Sequence, residues 1–397
     1  MTAGIIITLC VLLLIAYIFD LTGARTKIPS VILLLLLGWL VRQISKFVGI
    51  EIPNLTPLLP ILGTIGLVLI VLEGSLELEL DKSKAPMIRK SFFMALLPLV
   101  IMAFGLTYAF HYFSGTSLKD SLTNAIPFCV ISSAIAIPSV RYLSSANKEF
   151  IIYESSLSDI LGVLMFNFFA LNATINFSSF GYFALQLLII IVVSFIATVG
   201  LSFLIGRIEH NIKFAPIILL VILIYEISKI YHLPGLLFIL LFGLFLGNLD
   251  ELKHNKWIQK LRPEILNREV RKFKEITTEA VFLIRSLFFL LFGYLIRTSE
   301  IINIETLVWA VGIVAGVFLI RFLFLKMARL PVSPLIFVAP RGLITILLFF
   351  SIPVTQAIPI VNNSLIIQVI ILSALVMMFG LMSVKKPVKG VNSMAAE

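Results

Sequence analysis

Residues 151–174 read IIYESSLSDILGVLMFNFFALNAT, an apolar run that carries two acids and three serines near its start. A bilayer-spanning helix needs about 20 mostly apolar residues, so the run is long enough to cross. A charge at membrane depth is costly and is kept for pairing or for function. On a helix, Glu154 and Ser158 are i,i+4 neighbours, as are Ser155 and Asp159. The pattern therefore predicts a spanning helix with a carboxylate and hydroxyl oxygens on one face. Oxygen ligands of that kind suit a small hard cation such as Na⁺.

Working outward, the rest of the chain has the same character. Of its 397 residues, 60% are hydrophobic and 13% charged, against roughly 25% charged in a soluble domain. A soluble fold would leave large apolar areas facing water. Runs of spanning length fall near 4–22, 28–49, 58–80, 89–113, 121–143, 151–174, 181–207, 214–231, 234–250, 277–298, 304–328, 333–354 and 363–383. The expected fold is all-α and polytopic, with about thirteen spans and no water-soluble domain at either end. The first run is followed by Arg25 and Lys27 and not by a cleavage site, so it is read as a retained span.

The net charge of +10 is an orientation signal. With the C-terminus cytoplasmic and the N-terminus outside, about 23 Lys and Arg fall in inside segments and 5 in outside ones. The basic loop 250–276 is expected to anchor on anionic lipid, partly as an interfacial helix. Cys10 and Cys129 lie in apolar runs, and the four histidines lack ligand spacing, so neither a disulfide framework nor a transition-metal site is expected. No P-loop, nucleophile elbow or dinucleotide-binding loop is present, which disfavours an enzyme; nucleic-acid binding and an organic cofactor are not expected either.

Besides Glu154 and Asp159, the charges Glu73, Arg321 and Arg341 fall within spans. Counted from the inner span ends at 1.5 Å per residue, all but Glu154 sit about 10–12 Å deep, which points to one site. Two spans look broken: 121–143 by Pro127 and Pro138 around Ser132 and Ser133, and 333–354 by Pro334, Pro340, Gly342 and Pro353 around Arg341. Interrupted spans in corresponding halves mark a midplane site with unwound backbone. Arg341 is expected to balance the converging helix ends. A desolvated carboxylate in such a place holds a proton or a cation, but not easily both. Arg285 is expected to snorkel to the cytoplasmic face, Glu226 and Lys229 to pair locally, and Gly243-x-x-x-Gly247 and Gly312-x-x-x-Gly316 to permit close helix contact.

Three segments resemble motifs of the monovalent cation:proton antiporter superfamily, nearest to the electroneutral sodium/proton exchangers. Glu73-Gly74-Ser75-Leu76 resembles its third-span motif, Glu154-Ser155-Ser156-Leu157-Ser158-Asp159 its Glu-Ser-x-Leu-Asn-Asp motif, and Arg341-Gly342 its Leu-Arg-Gly motif. The resemblance implies an inverted-repeat fold with two broken helices crossing near the midplane. It implies a translocating core, 89–174 and 304–383, that moves elevator-like against a scaffold, 4–80 and 181–298, in a homodimer. It makes Asp159 the shared proton and cation carboxylate, with Ser155, Ser158, Glu73, Ser132 and Ser133 around it. It makes Glu154–Arg321 a structural ion pair and Arg341 a helix-break stabiliser. Two departures matter. Ser158 stands where relatives carry Asn or Asp, which favours one-for-one exchange. Ser132-Ser133 resembles the potassium branch.

The expected function is antiport of protons against Na⁺, or another monovalent cation such as K⁺ or Li⁺, across the plasma (inner) membrane. The alternatives are K⁺/H⁺ exchange or K⁺ efflux and, in a different class, a sodium-coupled carrier of organic anions.

Overall fold

The computed structural model describes residues 2–26, 28–49, 55–78, 82–141, 143–172, 176–207, 210, 212–252 and 263–384. The expected anchor between positions 253 and 262, and the basic residues beyond 384, lie outside the described residues.

Fourteen helices carry the architecture. They are α1 (Thr2–Thr26), α2 (Ser30–Val48), α3 (Leu58–Glu77), α4 (Ala85–Ser114), α5 (Leu118–Ala125), α6 (Ser133–Ser139) and α7 (Ser145–Leu171). They continue as α8 (Phe177–Arg207), α9 (Phe214–Ile230), α10 (Gly235–Gly247), α11 (Pro263–Leu295), α12 (Ile304–Met327), α13 (Leu343–Phe350) and α14 (Asn363–Ser383). Among the described residues, ten segments are long and apolar enough to cross a membrane, counting α5 and α6 as one interrupted segment. The short α9 and α10 and the broken segment ending in α13 complete a polytopic helical protein of about thirteen passes.

Packing sorts these helices into two bodies. In one, α2 lies along α11, α3 packs on α10 and α11, α8 and α9 pack on α10, and α1 rests on α2 and α11. In the other, α4 packs on α5, α7 and α12, α6 lies on α7, and α12 lies against α14. The bodies meet chiefly where α3 touches α6, α7 and α13.

Glycine permits the closest crossings. A Cβ at Gly38 would fall on the Leu290 carbonyl, and one at Gly293 on the Leu35 carbonyl, so α2 and α11 approach backbone to backbone. Gly243 and Gly247 likewise admit α3, at Ser75 and Leu76. Gly312 meets open space, so that glycine pair does not act as expected; only Gly316 makes a contact, with Met102.

The segment expected to form an interfacial helix followed by a span is one helix. α11 has 33 residues, about 50 Å at 1.5 Å per residue. Its buried residues Leu266, Val270, Phe273, Thr277 and Val281 recur every three or four positions, and no proline or glycine interrupts them. One continuous apolar stripe therefore holds the cytoplasmic extension and the span together. Glu269, buried in this extension, takes Lys213 at 2.6 Å from the start of α9.

Candidate functional site

The fifth and twelfth segments break where the prolines and glycines fall. After α5 the chain makes a 3-10 turn at Ile126–Phe128, runs extended through Ser132, and resumes as α6. Its counterpart leaves a short helix at Val332–Leu335, turns through Ile336 and Phe337, is irregular from Val338 to Gly342, and resumes at Leu343. The breaks lie against each other: Ser132 N donates to the Pro340 carbonyl at 2.9 Å. A Cβ at Gly342 would stand 2.9 Å from Ser132 Oγ, which explains the glycine there.

Arg341 is 3% exposed and satisfies the carbonyls these breaks release. Its guanidinium donates to Phe128 O at 2.8 Å, Ala339 O at 2.8 Å and Cys129 O at 3.3 Å, while its own N–H donates to Ser373 Oγ at 3.0 Å. One cation therefore serves the electronegative end of a half-helix and both unwound strands.

Asp159, 2% exposed on α7, points at the first break. Its Oδ2 accepts from the Ser133 N–H at 3.3 Å and from the Ser133 hydroxyl. Among the described residues its Oδ1 has no partner, and neither have two further buried oxygens, Ser132 Oγ and Ser156 Oγ. Buried polar atoms are rarely left unsatisfied, so these three are where an ion or water is called for. Ser158 has a different task, accepting from Ile131 N at 2.9 Å and so holding the break to α7. The Ser155 hydroxyl donates to Ile151 O at 2.7 Å, which turns its lone pairs outward from its own helix.

Glu154 and Arg321 form a bidentate pair at 2.7 and 2.8 Å, nearly free of solvent, and Arg321 Nε donates to Leu335 O at 2.8 Å. Glu73 is half-buried on α3. The structure thus gathers Asp159, Ser132, Ser133 and Ser158 at the crossing, while Glu73 stands on the other body. A Cβ at Gly74, its neighbour, would come within 3.0 Å of Ser156 Oγ across the interface.

Several features differ from the sequence expectation. α7 begins at Ser145, so Asp159 lies 14 residues along it, about 21 Å. Helix ends here extend beyond the apolar runs, so side-chain packing, and not equal distance from span ends, brings the charges together. Arg285 does not snorkel: its side chain is 6% exposed and pairs with Asp20 at 3.2 Å. The sequence signal for that pair was an acid inside the first apolar run. Ser156 was missed because only the close passage of α3 distinguishes it from Ser155. Among the described residues no three His, Cys, Asp or Glu converge on a metal geometry. The available donors are one carboxylate, hydroxyls and main-chain carbonyls, which fit a monovalent cation.

Comparison with known proteins agrees with this fold. The chain superposes on the sodium proton antiporter MjNhaP1 from Methanocaldococcus jannaschii at pH 8 with a TM-score of 0.68 and 19% identity, covering 95% of each chain. An electron-microscopy structure of the same antiporter gives 0.67 and 19%, covering 96% of this chain and 95% of that one. At such identity the likeness concerns the fold. No curated protein matches at a significant level. The family described as sodium/hydrogen exchanger, transmembrane, matches residues 10–385, so this multi-pass membrane protein belongs to the sodium/hydrogen exchanger family.

Proposed function

We propose that the chain exchanges protons for Na⁺ one for one, with Asp159 binding both in turn. The observation that carries this reading is a buried carboxylate with no basic partner among the described residues and one bare oxygen beside two unwound segments. The two nearby arginines are committed, Arg321 to Glu154 and Arg341 to main-chain carbonyls. A buried negative charge must be compensated, and at Asp159 that falls to whichever ion enters. Ser132, Ser156 and Ser155 supply further oxygens. With Ser158 in the preceding position, the site carries one carboxylate, so a Na⁺ leaving and a proton arriving leave its charge unchanged.

Alternating access is assigned to motion of the α4–α7 and α12–α14 body against the α1–α3 and α8–α11 body. The two touch over a restricted seam along α3. The distribution of basic residues supports a cytoplasmic C-terminus, read here in a plasma (inner) membrane, and the family resemblance supports a homodimer. Ser132-Ser133 favours a second reading, K⁺/H⁺ exchange at the same carboxylate. Proteoliposomes loaded with a pH dye and pulsed with each alkali cation separate the two. Na⁺ is expected to drive proton movement and K⁺ is not; the reverse order establishes the second reading.

A further inference from the structure

The two bodies are also joined by an ion pair at the α6 end of their interface. We propose that Asp20 and Arg141 form a releasable clasp that controls departure of the moving body, making both gating residues of the exchange. This rests on the two-body reading above.

Asp20 belongs to α1, and its Oδ1 is held within its own body, by Arg285 Nη2 of α11 at 3.2 Å and Ser30 Oγ of α2 at 3.5 Å. Its Oδ2 accepts from Arg141 Nη1 at 3.1 Å, and Arg141 belongs to the other body, just after α6. The two arms differ in exposure. The Arg285 side chain is 6% exposed and the Arg141 side chain 47%. The dry arm fixes the carboxylate, while the wet arm is a weak pair that can open and reform.

Position gives this pair its leverage. α6 is a seven-residue rod. It starts at Ser133, whose N–H and hydroxyl hold Asp159, and ends two residues before Arg141. The clasp thus grips one end of the rod whose other end holds the ion-binding carboxylate. At the clasped end only a narrow cleft remains, lined by Asp20, Pro29, Ser30, Ser139 and Arg141. At the outer ends of α2 and α11 the bodies stand apart around a cavity of about 540 Å³, lined by Arg42, Lys46 and Phe292 on one side and Ile346, Phe350 and Ile366 on the other. An interface shut at one end and open at the other is what such a clasp maintains. Opening it shifts the population toward the state with the site facing the clasped end.

The test uses the full chain in proteoliposomes, with Arg141→Gln, Arg141→Lys and Asp159→Asn beside wild type. Each is also made with Ser139→Cys as reporter, after Cys10→Ser and Cys129→Ser. Arg141→Gln is expected to raise maleimide labelling at position 139 and apparent Na⁺ affinity from the clasped face by roughly two- to five-fold, the range of an exposed ion pair. Arg141→Lys is expected to restore both toward wild type. If Arg141→Gln does not assemble, ionic strength replaces it: choline chloride is expected to accelerate labelling of the otherwise wild-type reporter by screening the pair. Labelling and affinity indifferent to Arg141→Gln, or, in its place, labelling indifferent to salt, overturn the clasp. Exchange surviving in Asp159→Asn overturns the carrier reading instead, and labelling needs no exchange, so the two failures are distinguishable.

Discussion

Asp159 and Glu154 lie little more than one turn apart on α7, both almost fully buried, yet their charges are handled in opposite ways. Glu154 is closed by Arg321 in a bidentate pair with a further carbonyl contact. Removing one partner of such a pair strands a buried charge, at a cost of about 3–5 kcal/mol. Arg321→Leu is therefore expected to lower the melting temperature in detergent markedly. Changing Glu154 and Arg321 together to apolar residues of similar size is expected to recover most of that loss. Asp159 has instead a single polar anchor, Ser133. A hydrogen bond to a charged group contributes about 1.5–3 kcal/mol to stability, and this one forms without an ion, so Ser133→Ala is expected to lower the melting temperature, by less than Arg321→Leu, and to weaken apparent Na⁺ affinity by loosening the carboxylate. Titration of the exchange rate with Na⁺ checks this. The acids and serines were legible in the sequence because polar residues in an apolar run stand out. Their division of labour was not, since a hydroxyl's direction depends on which backbone passes beside it. Ser158 turned to Ile131 N, Ser155 to Ile151 O, and Ser156 to the seam with α3.

At the scale of elements, the paired breaks are what position the site. Their locations were readable from Pro127, Pro138, Pro334, Pro340 and Gly342, because proline removes a helical donor and glycine tolerates close approach. That they cross, and that Ser132 N reaches Pro340 O, is tertiary information. Gly342 is a matter of space: an added side chain would press on Ser132 and Ile135. Overpacking of this kind typically costs about 1–3 kcal/mol. Gly342→Val is expected to abolish exchange, measured in proteoliposomes, while the far-UV helical signal stays intact. The length of α11 misled the sequence reading for a related reason. Charges on its exposed face suggested a boundary near position 276, but the buried stripe from Leu266 onward continues across it. Mean polarity of a window hides a helix that is half wet and half packed.

At the scale of the whole molecule, packing separates the helices into two bodies, the division on which the proposed alternating access rests. The sequence announced the bilayer through its scarcity of charge, and its clustered cations carry the proposed sidedness. It did not announce the seam, because the apolar residues of α3 serve both bodies alike. If inside segments are those rich in Lys and Arg, alkaline phosphatase fused after residue 172 is expected to be active and fused after residue 141 inactive. One carboxylate per site also predicts that exchange ignores membrane voltage. A valinomycin-imposed potential at fixed ion gradients is expected to leave the rate unchanged, and a rate that follows the potential refutes one-for-one exchange. The most direct test of the central claim compares wild type with Asp159→Asn in proteoliposomes, following the internal pH dye after a Na⁺ pulse. Na⁺-driven proton movement is expected in the wild type and none in Asp159→Asn, with the variant still folded and inserted. Sustained Na⁺-driven proton movement in Asp159→Asn would contradict that claim.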